Sequence, residues 1–142
     1  MKISVMGTGY VGLVTGATLS DTGNQVICLD LIEDKINELN SGKSPIFEPG
    51  LEKLIKKGIV NRNLKGSTNI ENGIIETDVT FICVGTPSKK DGSIDLNYIK
   101  SAASTIGRAL RHKKKEHTII VKSTVVPLTT EEIVLPIVMR KS

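Results

Sequence analysis

The 142-residue chain is long enough to bury one sizeable core, which argues for a single domain and against two. Its 39% apolar and 24% charged residues match ordinary globular usage, and no apolar run is long enough to span a bilayer. The net charge of +4 does not point to nucleic acid: much of the excess lies in residues 108–115, where cations suit the end of a helix, and the aromatic residues, 3% of the chain, do not interleave with that run.

Lys2 is followed at once by a strand-like run over residues 3–6, without the basic segment, longer apolar stretch and cleavage site of a signal peptide, which predicts a cytoplasmic protein. Gly7-Thr8-Gly9-Tyr10-Val11-Gly12 comes next, opening a helix over residues 10–22 that ends at Gly23, a natural C′ residue. Gly12 and Gly16 share one face of this helix, so their missing side chains let it approach a sheet closely. A second strand over residues 25–30 ends on Asp30, and Ile32, Ile36 and Leu39 then recur at helical spacing up to Ser41-Gly42.

Farther on, Glu48 and Pro49 stand at the start of a short helix with Leu51, Leu54 and Ile55 on one stripe and Gly58 at its end. A third strand over residues 79–85 breaks into Gly85-Thr86-Pro87. Asp95 is placed to cap a helix whose apolar face is Ile99, Ala102, Ala103, Ile106 and Leu110. The strand over residues 118–124 precedes a last helical element that Pro136 interrupts. Strands alternating with helices in this way predict parallel βαβ units. Cys28 and Cys83 lie inside strands and read as core residues; two such cysteines define neither a metal site nor a disulfide framework.

The glycine motif alone is a weak signal, because glycines also serve ordinary turns. Its context strengthens it: it follows a strand, opens a helix, and has Asp30 at the end of the next strand, 18 residues after Gly12. In a dinucleotide-binding turn Gly7 permits the bend, Gly9 lets the backbone approach a pyrophosphate, and Gly12 permits close helix packing. Free N–H groups of Tyr10, Val11 and Gly12 then face the phosphates, and the Asp30 carboxylate accepts the hydroxyls of the adenosine ribose and repels a 2′-phosphate, which favours NAD over NADP. A purely structural turn, or another nucleotide, is the alternative. Lys35 is either a ribose contact or a solvated lysine. Val84, Gly85, Thr86 and Pro87 end a strand where open α/β sheets bind ligands, Thr86 being a cofactor donor or a turn residue, and Ser123 and Thr124 divide between the same two readings.

Taken together, "MGTGYVGLVTG", Asp30 with Lys35, "GKSPIFEPGLEKLI", "FICVGTP" and "VKSTVVP" resemble, end to end and in order, the amino-terminal half of the UDP-sugar dehydrogenase family, with "PIFEPGL" most like its UDP-glucose 6-dehydrogenase branch. The resemblance implies an α/β, Rossmann-type, doubly wound and mainly parallel sheet with helices on both faces, spanning residues 1–142 as an NAD-binding domain without the central and carboxyl-terminal sugar-nucleotide domains. It implies that Val11 and its neighbours meet the pyrophosphate, that Asp30 and Lys35 hold the adenosine ribose, and that Thr86 and Thr124 approach the nicotinamide, Thr124 in a supporting catalytic role. Enzymes of this branch oxidise the C6 alcohol of UDP-glucose twice with two NAD, through a cysteine-bound thiohemiacetal and thioester, to UDP-glucuronate. That cysteine belongs to the carboxyl-terminal half, so the isolated chain is expected to be inactive; the full-length enzyme is expected to be a homo-oligomer that takes UDP-glucose and engages neither nucleic acid nor membrane. A UDP-N-acetylhexosamine dehydrogenase domain and a non-catalytic NAD-sensing module are the alternatives.

Overall fold

The computed structural model describes residues 1–142 in full. Five strands form one wholly parallel sheet in the order β3-β2-β1-β4-β5, with β1 at Lys2–Met6, β2 at Gln25–Leu29, β3 at Leu64–Ser67, β4 at Val79–Ile82 and β5 at Thr118–Val121. The helices are α1 (Tyr10–Asp21), α2 (Glu33–Asn40), α3 (Leu51–Val60), α4 (Ile70–Ile75), α5 (Asn97–Leu110) and α6 (Leu135–Lys141). No helix is long and apolar enough to cross a membrane.

Strand alternation divides the core in two. Ile3 and Val5 of β1 face one side, where Leu13 and Ala17 of α1, Leu39 of α2 and Leu51 and Ile55 of α3 complete a cluster; Met6, Leu29 and Ile82 face the other, against Ile74 of α4, Ile99, Ala102, Ala103 and Ile106 of α5 and Val138 of α6. Both faces of the sheet are therefore covered, as a parallel sheet requires. The doubly wound α/β fold expected from the sequence is the one observed.

Several local expectations need correction. Gly58 does not end α3 but lies buried inside it, because a Cβ there would come within 2.8 Å of Leu64 Cβ and 2.9 Å of Ser20 Oγ. Asp95 stands one residue before the cap of α5, which is Leu96, although its Oδ1 still accepts the Asn97 N–H at 2.9 Å. Pro136 interrupts nothing: a π-helical turn over Thr130–Val134 runs directly into α6, whose first turn leaves the missing proline N–H without consequence.

The elements that sequence reasoning missed, β3 and α4, are short and weakly patterned. β3 reads Leu-Lys-Gly-Ser and acquires strand geometry by pairing with β2, while a Cβ on Gly66 would press on Leu39 and Ile36 of α2 at 3.1 and 3.2 Å. α4 is capped by Asn69, whose side chain accepts the Asn72 N–H at 3.1 Å.

At the amino-terminal end of the sheet, on the α5 side, Ser4 and Thr80 share a hydrogen bond of 2.6 Å, Thr77 donates to Ser4 at 3.0 Å, and His117 Nε2 lies 2.7 Å from Thr80 Oγ1. Lys113 Nζ, 2.8 Å from His117 Nδ1, also donates to the carbonyl of Thr77. Burial, joined by the Lys113 ammonium, pushes the His117 pKa from 6.5 down to about 4. The unfolded imidazole therefore takes up a proton first, and this contribution to stability is complete above pH 6.5 and lost as pH falls towards 4. Thermal melting across that window should drop more steeply for the native chain than for His117→Gln; parallel pH profiles of the two would contradict the assignment.

Candidate functional site

The carboxyl-terminal ends of β1, β2, β4 and β5 open into a cleft of about 620 Å³ at the point where strand order reverses between β1 and β4. Its floor is the glycine turn. Gly7 adopts φ +101°, a conformation that side-chain-bearing residues rarely take, and a Cβ there would come within 2.7 Å of the Cys83 carbonyl oxygen. A Cβ on Gly12 would lie 1.8 Å from the Gly7 carbonyl oxygen, and one on Gly16 would lie 2.7 Å from Cys28 Sγ. These glycines seat α1 against the sheet.

Gly9 is different. Its φ of −80° and ψ of −170° suit any residue, and a Cβ there would meet nothing within 4 Å. Nothing inside the chain requires glycine at this position; the open space lies at the mouth of α1, whose first helical bond runs from the Leu13 N–H to the Gly9 carbonyl at 2.9 Å. The N–H groups of Tyr10, Val11 and Gly12 precede that bond and lack internal acceptors, so the turn presents donors and a positive helix end where a pyrophosphate needs both. Gly7, Gly9, Tyr10 and Val11 line the cleft, while Gly12 is buried behind it in its packing role.

Asp30, just past β2, borders the cleft with Lys35 of α2. Its Oδ2 accepts both the Thr8 N–H at 2.8 Å and the Thr8 hydroxyl at 2.6 Å, and Oδ1 accepts the Ile32 N–H at 3.0 Å. Partial burial opposes ionisation, but the Thr8 hydroxyl, the Ile32 and Thr8 N–H groups and the Lys35 ammonium outweigh it and hold the carboxyl below its ordinary range. A carboxylate offers about four acceptor directions, so these three bonds leave one, on Oδ1. Asp30 alone is thus a poorer partner for two ribose hydroxyls than its position in the sequence implies.

On the far wall, Val84, Gly85 and Thr86 line the cleft, and the Thr86 hydroxyl makes no bond within the chain; Pro87 lies outside the lining, its carbonyl accepting the Asp95 N–H at 2.8 Å. Ser123 and Thr124 both line it, with different engagements. Ser123 Oγ donates to the Val84 carbonyl at 2.8 Å and so ties β5 to the end of β4, whereas Thr124 is exposed with a free hydroxyl. Cys83 also borders the cleft, but burial pushes its thiol up to about 11, and that of Cys28 up to about 12. Neither is a thiolate near neutrality.

Sequence reasoning overlooked Thr8, the α5 stripe of Tyr98, Ser101 and Thr105, and Lys122, all of which line the cleft. The stripe was detectable as a polar row at helical spacing beside the apolar face of α5. Thr8 occupies a variable position of the glycine motif and carried no signal of its own.

An open glycine turn at a helix start, an acid at the next strand end and a cleft at the switch point define a dinucleotide-binding domain of the Rossmann type. The chain belongs to the UDP-glucose/GDP-mannose dehydrogenase family, whose NAD binding domain it matches over residues 1–142. Over 138 residues it is 47% identical to the GDP-mannose 6-dehydrogenase of Pseudomonas aeruginosa, covering 97% of this chain and 32% of that protein. It is 46% identical over 134 residues to a UDP-glucose 6-dehydrogenase of Bacillus subtilis, covering 94% and 30% respectively. Among solved structures, a GDP-mannose dehydrogenase ternary complex from Pseudomonas aeruginosa superposes with a TM-score of 0.98 at 46% identity, over 100% of this chain and 33% of that one. The UDP-glucose dehydrogenase of Pyrobaculum islandicum gives 0.95 at 39% identity, over 98% and 32%. The chain thus spans about a third of the length of the relatives it matches.

The contrast between glycines is testable. Gly9→Val should melt within a few degrees of the native chain yet bind NAD at least about tenfold more weakly, whereas Gly12→Val should lose the fold. Retained NAD affinity in folded Gly9→Val, measured by calorimetry beside melting, contradicts phosphate cradling by this turn.

Proposed function

We propose that residues 1–142 serve as the NAD-binding domain of an oxidoreductase that converts the C6 alcohol of UDP-glucose to the carboxylate of UDP-glucuronate, using two NAD. The observation that carries the cofactor half of this reading is the open approach over Gly9 to the unpaired donors of α1, with ionised Asp30 beside it. Support for the sugar comes from "PIFEPGL" at residues 45–51 and from the similarity to the Bacillus UDP-glucose enzyme. GDP-mannose is the second reading, favoured by the 47% identity to the Pseudomonas enzyme.

NAD, when bound, supplies the hydride acceptor. Around it, the N–H groups of Tyr10 and Val11 bind the pyrophosphate, with Gly12 packed behind them, and Asp30 and Lys35 hold the adenosine ribose. Val84, Gly85 and Thr86 form the wall on the nicotinamide side, with Pro87 fixing the turn behind them. Thr124 presents a free hydroxyl at the rim, suited to hydrogen-bonding near the substrate oxygen, while Ser123 maintains the spacing of the strand ends. A covalent second oxidation needs a thiolate, and the raised thiols of Cys28 and Cys83 do not provide one, so this reading places the nucleophile and the sugar-nucleotide domains beyond residues 1–142 of a longer, homo-oligomeric, cytoplasmic enzyme.

Calorimetry should show tighter binding of NAD than of NADP, and Asp30→Ala should weaken NAD by roughly 1–3 kcal/mol through loss of a charge-assisted hydrogen bond. Equal or tighter NADP binding overturns the ribose assignment. Residues 1–142 alone should form no NADH from either UDP-glucose or GDP-mannose; steady NADH formation by the purified chain would make one of its two cysteines a catalytic candidate.

A further inference from the structure

We propose that Thr8 is a positioning residue for the adenosine ribose, acting through Asp30 to aim the one acceptor direction left free on that carboxylate. The inference rests on the reading of Asp30 as the ribose acceptor and extends it to a residue that never has to touch the dinucleotide.

The geometry begins at Gly7. Its positive φ turns the chain sharply after β1, while its own N–H donates to the Leu29 carbonyl at 2.8 Å, so the next residue is delivered against the end of β2. Thr8 is 1% exposed there and spends both of its donors on a single atom, Asp30 Oδ2, at 2.8 Å from nitrogen and 2.6 Å from oxygen. Two donors on Oδ2 and the Ile32 N–H on Oδ1 fix the plane of the carboxylate.

That restraint matters because the terminal torsion of an aspartate is intrinsically broad and nearly two-fold, so a carboxylate held at one point only swings between orientations. Thr8 removes this freedom before the ligand arrives, and preorganisation of this kind increases affinity by lowering the ordering cost of binding. A valine at position 8 retains the backbone N–H and the branched shape but loses the hydroxyl. A serine retains the hydroxyl.

The same bond affects charge. The Thr8 hydroxyl favours the ionised carboxylate, as does Lys35 of α2, the cation bearing on it; Glu33 and Asp34 of the same helix are exposed. Removing the hydroxyl raises the pKa of Asp30, so NAD affinity should begin to fall at a higher pH on acidification.

The experiment measures NAD affinity by calorimetry from pH 7 down to the stability limit for the native chain, Thr8→Val, Thr8→Ser, Asp30→Ala and the Thr8→Val/Asp30→Ala double variant. Expected results are an affinity loss on the order of fivefold for Thr8→Val with its acid limb displaced upward, near-native binding for Thr8→Ser, and no further loss when Thr8→Val is added to Asp30→Ala. Native affinity in Thr8→Val beside a weakened Asp30→Ala overturns the proposal alone, as does a loss that is undiminished in the Asp30→Ala background or an acid limb that stays in place. Native affinity in Asp30→Ala overturns the ribose reading, and the role of Thr8 with it. Should Thr8→Val not fold, Thr8→Ala replaces it with the same expectations.

Discussion

How closely α1 seats on the sheet governs the rest of the structure. Gly7 rests on the carbonyl end of β4, Gly12 rests on Gly7, and Gly16 rests on Cys28 of β2, each at a distance that a single methyl group would violate. This stack brings the positive end of α1 to the mouth of the cleft at the β1/β4 switch point, with donors that have no other acceptor. Gly9 stands outside the stack. Its lack of a side chain contributes nothing to packing and leaves the approach to those donors open, so the four glycines divide between holding the helix in place and keeping its end accessible.

The polar groups of the sheet divide in a comparable way between its two ends. At the amino-terminal end Ser4, Thr77, Thr80 and His117 form a closed network in which hydroxyls satisfy one another, and no buried side-chain nitrogen or oxygen in the molecule lacks a partner. At the carboxyl-terminal end the hydroxyls of Thr86 and Thr124, the ammonium groups of Lys35 and Lys122 and the first N–H groups of α1 make no hydrogen bonds within the chain. Burying polar groups costs free energy unless they are paired. The closed network stabilises the fold, and the solvent-accessible open set is available to a ligand. Asp30 belongs to both, held by Thr8 and Ile32 while retaining one acceptor direction.

Much of this was legible in the sequence because strong local rules agreed with the tertiary result. The strands β1, β2, β4 and β5 are runs rich in Val and Ile, α1 has a glycine turn before it and Gly23 after it, and Asp30 follows β2 at the edge of the cleft. What failed did so where tertiary contacts override local preference. β3 is a strand only because β2 offers it an edge, Gly58 is an interior glycine because Leu64 and Ser20 crowd it, and Pro136 is carried by a π-helical turn whose spacing no α-helical pattern reveals. In the site, position in the motif marked Gly9 and Asp30, but Thr8 became visible only through its two bonds to one oxygen. The sugar specificity is less legible, since "PIFEPGL" resembles the UDP-glucose branch while the chain is 47% identical to a GDP-mannose enzyme and 46% identical to a UDP-glucose one.

The proposed function requires the turn at Gly9 and the start of α1 to hold the pyrophosphate of NAD with its adenosine ribose at Asp30. A crystal structure of residues 1–142 with NAD tests it most directly. The pyrophosphate oxygens should lie within hydrogen-bonding distance of the Tyr10 and Val11 N–H groups, with a ribose hydroxyl donating to Asp30 Oδ1 and Thr8 still bonded to Oδ2. A dinucleotide lying elsewhere in the cleft, or a ribose turned away from Asp30, would contradict it.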